Sequence, residues 1–184
     1  GTVESIAQID DKLLYECYNT FYNPANMCVC VAGNIKTDEV LAQIEKGMKP
    51  VERVTVKSAD FAETKEVETH FVEQSLEVSK PLFCLGFKDI PTTSRVSIKD
   101  RMVAGITLDL LCGECSALYR SLQEKGLIDN ELSAEHFQGE GYSAFMIEGE
   151  SERPAAVAEE IKKEIKHLTE NGIDTRLFSA IKKA

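Results

Sequence analysis

The sequence predicts an α+β fold in which helices pack on one face of a largely antiparallel sheet. Two observations support this prediction. The predicted strands come in hairpins that are separated by helices, without the steady strand–helix alternation of a doubly wound parallel sheet. The chain has 184 residues, of which 43% are hydrophobic, so it is also long enough to bury a sizeable core.

The N-terminal quarter of the chain predicts a helix, a strand and a second helix. Asp10 is a suitable N-cap for a helix whose apolar residues recur at helical spacing, and Asn23-Pro24 ends that helix. Met27–Val31 is a short apolar run, which favours a strand covered on both faces. Thr37 is expected to cap the next helix, which ends before Pro50.

Residues 49–64 lose this periodicity, and we interpret them as a linker because they contain Pro50 and Ser58-Ala59-Asp60. Beyond the linker, Thr64–Glu73 and Pro81–Phe87 are predicted strands. The second of them is almost entirely apolar, which favours a central position in the sheet.

The rest of the chain predicts four helices and a hairpin. Apolar spacing places Met102, Ile106 and Leu110, widened by Val103 and Leu111, in one stripe of the first helix. Leu118 and Leu122 lie on one face of the second. The elements are a helix from about Ser94 to Cys112-Gly113, a helix Ser116–Lys125 ended by Gly126, a hairpin of Glu131–Phe137 and Tyr142–Glu148, a helix opened by Pro154 and stopped by Gly172, and a helix capped by Asp174.

The charge balance excludes two classes of partner. Lys and Arg total 21 against 31 Asp and Glu, a net charge of -10, so the field of the protein repels phosphate backbones and anionic lipid surfaces. The longest uninterrupted apolar run, Met27–Ala32, is far shorter than the ~20 residues of a membrane-spanning helix. We therefore expect neither nucleic acid nor a membrane as a partner.

Cysteine usage and the chain ends bear on the compartment and on completeness. Six cysteines are too few for a disulfide scaffold, and the sequence has no N-x-S/T acceptor and no secretion signal, which favours a reducing, cytoplasmic location. The chain begins at Gly1 without a methionine and ends at Lys182-Lys183-Ala184 within a predicted helix. We therefore expect it to be a piece of a longer protein.

The three histidines form no metal or catalytic motif. Neither H-E-x-x-H nor H-x-x-E-H is present, and Leu132 stands where an inverted motif ending in Glu135-His136 would need its first histidine. His70 and His136 lie in predicted strands and His167 lies on the flank of a helix, so structural or surface roles are favoured.

Cysteine and glycine motifs leave one alternative open. Cys112-Gly113-Glu114-Cys115 and Cys28-Val29-Cys30 could together supply four thiolates to zinc, as an independent metal or redox module. Buried cysteines are the favoured interpretation, because a C-x-C pair on a covered strand behaves as two small hydrophobes. Gly139–Ala144 matches a degenerate G-x-G-x-x-A, but it precedes a strand rather than a helix, which argues against a dinucleotide site. From its residues alone, the chain has no self-contained active site.

Four stretches in order carry a family resemblance: Gly1–Ile6, Leu14–Met27, Val31–Asn34 and Leu118–Asp129, the last within an S-x-L-Y-x-x-L-x-x-x-G-L pattern. Together they resemble the pitrilysin/insulinase zinc peptidases, which carry an inverted H-x-x-E-H motif and include the mitochondrial processing peptidases. The resemblance extends over essentially the whole chain. It is greatest to bacterial processing-protease or insulinase-like proteins, in the half that carries the zinc motif.

The resemblance implies a half-molecule of two similar α+β domains, with a second half-molecule of the same fold, as a homo- or heterodimer, enclosing a chamber for a peptide or small protein substrate. Residues 1–48 would be the last helix–strand–helix of the zinc-motif domain, residues 49–64 a linker, and residues 65–184 most of the second, non-catalytic domain, truncated at its C-terminus. The zinc of the parent protein would be bound upstream of Gly1. This chain would therefore hold no cofactor, metal ligand or catalytic residue, and would be inactive alone.

The family also holds substrate with an Arg and a Tyr seven residues apart, in the half without zinc. Gln123 occupies the Arg position here and the Tyr position falls at about Asp129, so the pair is absent, which fits the zinc-bearing half and leaves the substrate-binding residues unknown. The resemblance thus implies a wall of the peptide chamber of a zinc metalloendopeptidase, with an acidic charge that would attract basic peptides. The alternative is a structural or substrate-holding subunit of the same fold without peptidase activity.

One structural expectation follows from the resemblance. The second domain of the family ends with a helix–strand unit like that of residues 10–34, and this chain stops before such a unit. An unpaired sheet position is a liability. We therefore expect Asp10–Gly47 to fill that position, within the chain or in a neighbouring molecule.

Overall fold

A computed structural model of the chain describes residues 1–49, 51–57, 63–89, 97–139 and 141–183. The chain forms two compact units, Gly1–Asp60 and Phe61–Ala184, and the division falls within the predicted linker of residues 49–64. Pro50 and Ser58-Ala59-Asp60 of that linker, the predicted helix start at Ser94, and Glu140 in the predicted hairpin turn lie outside the described residues.

The described part of the first unit forms helices. They are α1 (Val3–Ile6), α2 (Asp11–Phe21), a 3-10 turn (Pro24–Asn26) and α3 (Thr37–Gly47). Asp10 caps α2 as predicted, since its Oδ1 accepts a hydrogen bond from the backbone N of Leu13 at 2.8 Å. The prediction that Thr37 caps α3 is wrong, because Thr37 is the first helical residue and the N-cap is Lys36.

The predicted strand Met27–Val31 is not formed. These residues adopt neither helix nor strand and are exposed, Val29 by 63% and Val31 by 52%. An apolar run becomes a strand only when a neighbouring backbone pairs with it, and local sequence does not supply that neighbour. The prediction that Asp10–Gly47 contributes a strand to a sheet within the chain is therefore wrong as well, whereas pairing with a neighbouring molecule stays a prediction.

The helices of the first unit leave their apolar side chains uncovered. Leu14, Tyr18 and Phe21 of α2 are exposed by 60%, 57% and 51%. Asn23 is buried, and its amide donates to the carbonyl oxygen of Glu52 at 2.8 Å while its Oδ1 accepts from the backbone N of Ala25 at 2.9 Å. The described residues of this unit thus contain helices without an apolar core.

The second unit contains a three-stranded antiparallel sheet with the strand order β1–β3–β2. The strands are β1 (Leu82–Asp89), β2 (Leu132–Gly139) and β3 (Tyr142–Glu150). The predicted hairpin is confirmed, with Gly139 opposite Tyr142 and a positive φ of 84° at Gly141 in the turn. The apolar strand β1 was expected at the centre, but it lies at the edge of these three strands because β3 pairs on both sides.

The first predicted strand of this region, Thr64–Glu73, is not formed either. The described residues 63–73 are extended or bent without strand pairing, and Phe71 and Val72 are exposed by 77% and 79%. The alternating apolar pattern is present, but a backbone partner is not, so the pattern alone does not produce a strand.

Three helices, α4 (Ile98–Cys112), α5 (Ala117–Glu124) and α6 (Pro154–Asn171), pack on one face of the sheet, and a fourth, α7 (Thr175–Ile181), packs against α4. Leu122, Val157 and Ile161 of the helices are fully buried against Ile147 of β3. Phe83, Leu85, Leu132 and Ala134 of the outer strands pack against the same core. The predicted α+β class, with helices on one face of an antiparallel sheet, is confirmed.

The helix α4 buries only part of the predicted apolar stripe: Leu111 is buried and Ile106 and Leu110 are half-buried, but Val103 is 53% exposed. Ala104, Leu108 and Leu111 are buried, whereas Met102 is 62% exposed. The stretch Ile98–Glu124 has the length and composition of a membrane-crossing helix. It is divided at Gly113, where α4 ends, and its buried apolar side chains belong to the core, which accounts for that composition.

The chain turns sharply after α5 at Gly126. The φ of Gly126 is 59°, its backbone N donates to Gln123 O at 2.9 Å, and the backbone N of Leu127 donates to Leu122 O at 2.8 Å. These two bonds form a Schellman motif, as the glycine predicted. The turn buries Leu127 and Ile128 in the core and leads the chain into β2.

Candidate functional site

Alternation along the strands gives the sheet a core face and an open face. Phe83, Leu85 and Phe87 of β1 belong to the core face, against which the helices pack. Residues directly opposite one another on paired strands share a face, so the register assigns the rest. The open face carries Leu82, Cys84, Gly86 and Lys88 of β1, Ser133, Glu135 and Phe137 of β2, and Ala144, Met146, Glu148 and Glu150 of β3.

One half of the open face is acidic. Glu148 lies between Cys84 and Ser133. Glu150 and Glu135 lie one row away on either side, where a row means the open-face residues directly opposite one another and core-face residues are not counted. A cavity of about 610 Å³ over this half is also lined by Glu131, which precedes β2. We call Glu131, Glu135, Glu148 and Glu150 the acidic half.

The Cys84 thiol lies within this acidic half. Desolvation, a hydrogen bond to Glu148, and the negative charges of Glu148 and Glu135 raise the pKa of Cys84 to about 11. The thiol is therefore protonated at neutral pH and does not serve as a nucleophile.

The other half of the open face borders a groove of about 1130 Å³. Residues 63–72 form one side of this groove, and the strand ends form the other side with Gly86, Phe137, Tyr142 and Ala144. The Phe137 and Tyr142 rings are 5.4 Å apart and remain 51% and 39% exposed. Lys88 Nζ forms an ion pair with Glu63 Oε2 at 2.7 Å, which links the two sides and neutralises both charges. We call this space the aromatic groove.

Gln123 and Asp129, which the sequence analysis compared with the family Arg and Tyr, are joined by a hydrogen bond near the end of α5. Gln123 Nε2 donates to the carbonyl oxygen of Asp129 at 2.9 Å and to Asn130 Oδ1 at 3.2 Å. The Asp129 carboxylate forms an ion pair with Lys80. In this arrangement both side chains hold the loop between α5 and β2, which is a structural task.

The cysteines are placed differently from the prediction. Cys28 and Cys30 are exposed, with their Sγ atoms 4.0 Å apart, so the expectation that they are buried is wrong for the same reason as the strand that contained them. Cys115 is exposed, whereas Cys112 is buried and its pKa is raised to about 12 by desolvation.

The two cysteine pairs lie in different units, and within the described ranges no group of three or more His, Cys, Asp and Glu side chains is placed to hold a metal ion. The described residues therefore do not fit a zinc site.

The histidines occupy three unrelated places. His70 lines the aromatic groove, and His167 Nδ1 lies 3.1 Å from Asn171 Nδ2 on α6. His136 faces the core side of the sheet, where its ring stacks on Phe145 with 4.3 Å between centroids.

Sequence reasoning missed a polar cluster around His136. His136 Nε2 lies 2.8 Å from Ser143 Oγ, and Ser143 Oγ donates to Asp89 Oδ2 at 3.3 Å. With the serine proton directed to Asp89, the tautomer of His136 that complements the serine is the one that donates from Nε2, and the buried Nδ1 has no hydrogen-bond partner among the described residues. A catalytic serine needs the opposite polarity, with a carboxylate on Nδ1. The cluster therefore joins three strand ends and does not form a nucleophile.

Comparisons with known proteins agree on one family. Residues 8–184 match the family model described as the "Peptidase M16 inactive domain". The chain is 33% identical over 169 residues to the zinc protease YmfH of Bacillus subtilis (strain 168), which covers 88% of this chain and 39% of that protein. It also resembles the crystal structure of an M16-like peptidase from Alicyclobacillus acidocaldarius, with a TM-score of 0.70 and 26% identity, over 100% of this chain and 44% of that one.

The chain therefore spans less than half the length of each of these relatives. The match confirms the resemblance to the pitrilysin/insulinase type of zinc peptidase, and the matching model is the inactive domain, in agreement with a segment that does not carry out catalysis. This chain belongs to the peptidase M16 family, of which it is a non-catalytic segment.

Proposed function

We propose that the open face of the sheet forms part of the wall of a peptide-binding chamber in a zinc-dependent metalloendopeptidase. The match to an inactive domain and the relative named as a zinc protease support the class of the parent protein. The chamber holds a peptide or small protein between this half-molecule and a second one of the same fold. Zinc and the catalytic glutamate belong to residues outside this chain, on its N-terminal side.

The domain organisation is part of this proposal. Residues 1–48 end the domain that carries the zinc motif, residues 49–64 link the domains, and residues 65–184 form most of the second domain. The exposed apolar side chains of α2, such as Leu14 and Phe21, support this division because an amphipathic helix is stabilised mainly by covering its apolar face. We also propose that the parent protein is cytoplasmic.

The charge of the open face is the observation that supports the chamber wall most directly. Glu135, Glu148 and Glu150 lie in three adjacent rows of the described strands, and those rows contain no lysine or arginine. The helices cover the opposite face, so these carboxylates face away from the core. A surface with this charge attracts and retains positively charged peptides.

The test uses the full-length protein with Glu135, Glu148 and Glu150 all changed to Gln. We expect KM for a basic fluorogenic peptide to rise about tenfold at low salt, since three attractive charges are lost, and the difference to shrink as salt screens them. The control changes Glu124, Glu159 and Glu170 to Gln, because these substitutions remove the same charge from the helices and leave the open face unchanged. We expect this control to behave as the unmodified protein.

Two outcomes would contradict the proposal. If cleavage does not depend on substrate charge, on salt or on either set of substitutions, the open face does not attract the substrate by its charge. A full-length protein that binds peptides but has no H-x-x-E-H motif and no peptidase activity would instead support the substrate-holding subunit.

A further inference from the structure

Two thiols lie side by side at the surface of the first unit. Cys28 and Cys30 are both exposed, and their Sγ atoms are 4.0 Å apart. Met27, which precedes them, has an extended backbone with φ -117° and ψ 149°. Side chains two positions apart in an extended segment point to the same side, which accounts for the short distance between the sulfur atoms. We call Cys28 and Cys30 the thiol pair.

We propose that the thiol pair is a two-coordinate binding site for a soft monovalent cation of the Cu(I) type. Binding is an exchange in which each thiol loses its proton and one ion gains two sulfur bonds, so no electron is transferred. The site goes beyond the proposed peptidase function, and its test does not depend on that function.

The distance between the two sulfur atoms fits a shared metal ion. At metal–sulfur bonds of about 2.3 Å, two sulfur atoms on one ion lie about 3.8 Å apart at a tetrahedral angle and about 4.6 Å apart on opposite sides of the ion. The observed 4.0 Å lies within this range. A disulfide needs a distance of about 2.05 Å, so both side chains would have to move much further to form one.

The number and kind of donor atoms decide which ion fits. Zinc in structural sites almost always has four protein ligands, and within the described ranges no third His, Cys, Asp or Glu joins the pair. Calcium and magnesium take oxygen ligands, which a pair of thiols does not offer. Thiolates select soft ions such as Cu(I), for which two sulfur ligands form a complete site.

The sequence around the thiol pair favours a soft cation. Phe21–Ile35 contains no charged residue, so this stretch has no ammonium or guanidinium group to repel a cation and no carboxylate to attract a hard one. Residues 1–48 contain seven acidic and three basic residues, and the field of this part of the chain therefore attracts positive ions.

Both ends of the segment that carries the thiol pair are held by hydrogen bonds. On the N-terminal side, Asn26 Nδ2 donates to the carbonyl oxygen of Phe21 at 3.0 Å. On the C-terminal side, the backbone N of Ile35 donates to the carbonyl oxygen of Gly33 at 3.0 Å. Residues 27–32 form a short connection between these two points, so both sulfur ligands come from one local segment.

The other cysteines provide single-thiol controls. Cys112 is buried, and desolvation raises its pKa to about 12, so it does not form an accessible pair with Cys115. Cys17 and Cys115 are exposed, and neither has a second thiol in hydrogen-bond contact among the residues that the structure describes.

Competition for Cu(I) tests the site. The full-length protein is reduced, kept free of oxygen and titrated with Cu(I) against a coloured Cu(I) chelator. We expect Cys28→Ser and Cys30→Ser each to weaken Cu(I) binding by about 100-fold or more, because the second thiolate acts at a high effective concentration. Cys17→Ser and Cys115→Ser should bind as the unmodified protein. Circular dichroism verifies that each variant is folded.

Alkylation by iodoacetamide identifies the ligands directly. Peptide mass spectrometry measures the modification of each cysteine with and without Cu(I). We expect Cu(I) to suppress the alkylation of Cys28 and Cys30 together and to leave that of Cys17 and Cys115 unchanged. Zinc at the same concentration should leave all four rates unchanged, since two thiols do not complete its coordination.

Four outcomes would overturn the inference. Thiols at positions 28 and 30 that do not react with iodoacetamide in the absence of metal would show that the pair is covered in the full-length protein. Equal Cu(I) affinity of all four variants would show that the pair is not the site. A loss in Cys17→Ser equal to that in Cys28→Ser would contradict a site of two ligands. Protection by zinc equal to that by Cu(I) would contradict the choice of ion.

Discussion

Gly126 holds a left-handed backbone conformation in the turn after α5. Its φ of 59° lies in the left-handed region, where a side chain is strained, although a Cβ there would contact nothing within 4 Å. We expect Gly126→Ala to lower the free energy of unfolding by about 1 kcal/mol or more, measured by urea denaturation.

A second glycine in the same unit provides the control. Gly105 lies inside α4, also has nothing within 4 Å of a Cβ, and has no positive φ. Gly105→Ala should therefore raise the free energy of unfolding by about 0.5–1 kcal/mol, since alanine favours a helix. Equal effects of the two substitutions would show that the turn at Gly126 does not require its conformation.

Glu160 of α6 connects this helix to the C-terminal end of α5 through Lys125 and also pairs with Lys163 on its own helix. Its carboxylate pairs with Lys125 and with Lys163 Nζ, the latter at 2.7 Å, and hydrogen bonds from Lys125 and Lys163 lower the pKa of Glu160 from 4.5 to about 2. A carboxylate whose pKa is lowered by folding stabilises the fold above its ordinary pKa, and this stabilisation is lost as the pH falls from about 4.5 towards 2.

We expect Lys125→Met to reduce the free energy of unfolding at neutral pH and the difference from the unmodified protein to shrink between pH 4.5 and 2. Because the group is at the surface, the effect is small and decreases with salt. Lys162→Met is the control, since Lys162 pairs with Glu159 on the same helix at 3.2 Å. A difference that stays constant over this pH range would contradict the role of Glu160.

The helices predicted from the sequence are formed, whereas the predicted strands Met27–Val31 and Thr64–Glu73 are not, for a physical reason. A helix satisfies its backbone hydrogen bonds within itself, so caps such as Asp10 and Asp174 and the glycine stops at Gly126 and Gly172 appear in the local sequence. A strand needs a partner that is distant in sequence. Met27–Val31 has the apolar pattern of a strand, but the described structure provides no partner for it.

The candidate site was predictable in its charge and not in its residues. The net charge of -10 indicated an acidic surface. Glu135 and Glu148, however, lie on different strands, and only the register of β2 and β3 places them in neighbouring rows of the open face. Asp89, Ser143 and His136 likewise come together from three strands. Such sites have no local motif, because the sheet brings their members together.

The helix α5 depends on its inner face. Leu122 is fully buried among α6 and β3 residues, including Ile161 and Ile147. We expect Leu122→Ala to lower the free energy of unfolding by about 2–5 kcal/mol, because it removes buried methyl groups and leaves a cavity. Leu82→Ala, at a side chain that is 61% exposed on the open face, should cost about 1 kcal/mol or less. Similar losses in urea denaturation would contradict the assignment of the two faces.

For the whole molecule, the two units differ in what holds them together. The second unit has a core of helix and sheet residues, whereas the described residues of the first bury Asn23 and leave the apolar residues of α2 exposed. A chain segment of this kind gains little free energy from its own contacts. This contrast agrees with the proposal that residues 1–48 belong to another domain of the parent protein.

Removal of the metal from the full-length protein tests this division of labour. We expect a chelator to abolish peptide cleavage, because the proposed activity depends on zinc, and to leave hydrogen exchange of the backbone amides of β3 unchanged. The reason is that residues 63–89, 97–139 and 141–183 contain no group of three or more side chains placed to hold a metal ion. Mass spectrometry of the exchanged protein follows β3 and the zinc-binding domain in one experiment. The zinc-binding domain should lose protection where its ligands are released.

The amides of Phe145 and Ile147 are the most informative positions, because β3 is paired on both sides and Ile147 is 1% exposed. Their protection reports the stability of the whole second unit rather than local fraying. If chelation exposed them to exchange, metal binding would contribute to the folding of this unit, and the separation of a catalytic domain from a non-catalytic wall would fail. If these amides stayed protected while cleavage stopped, the wall would be a scaffold whose folding does not depend on zinc.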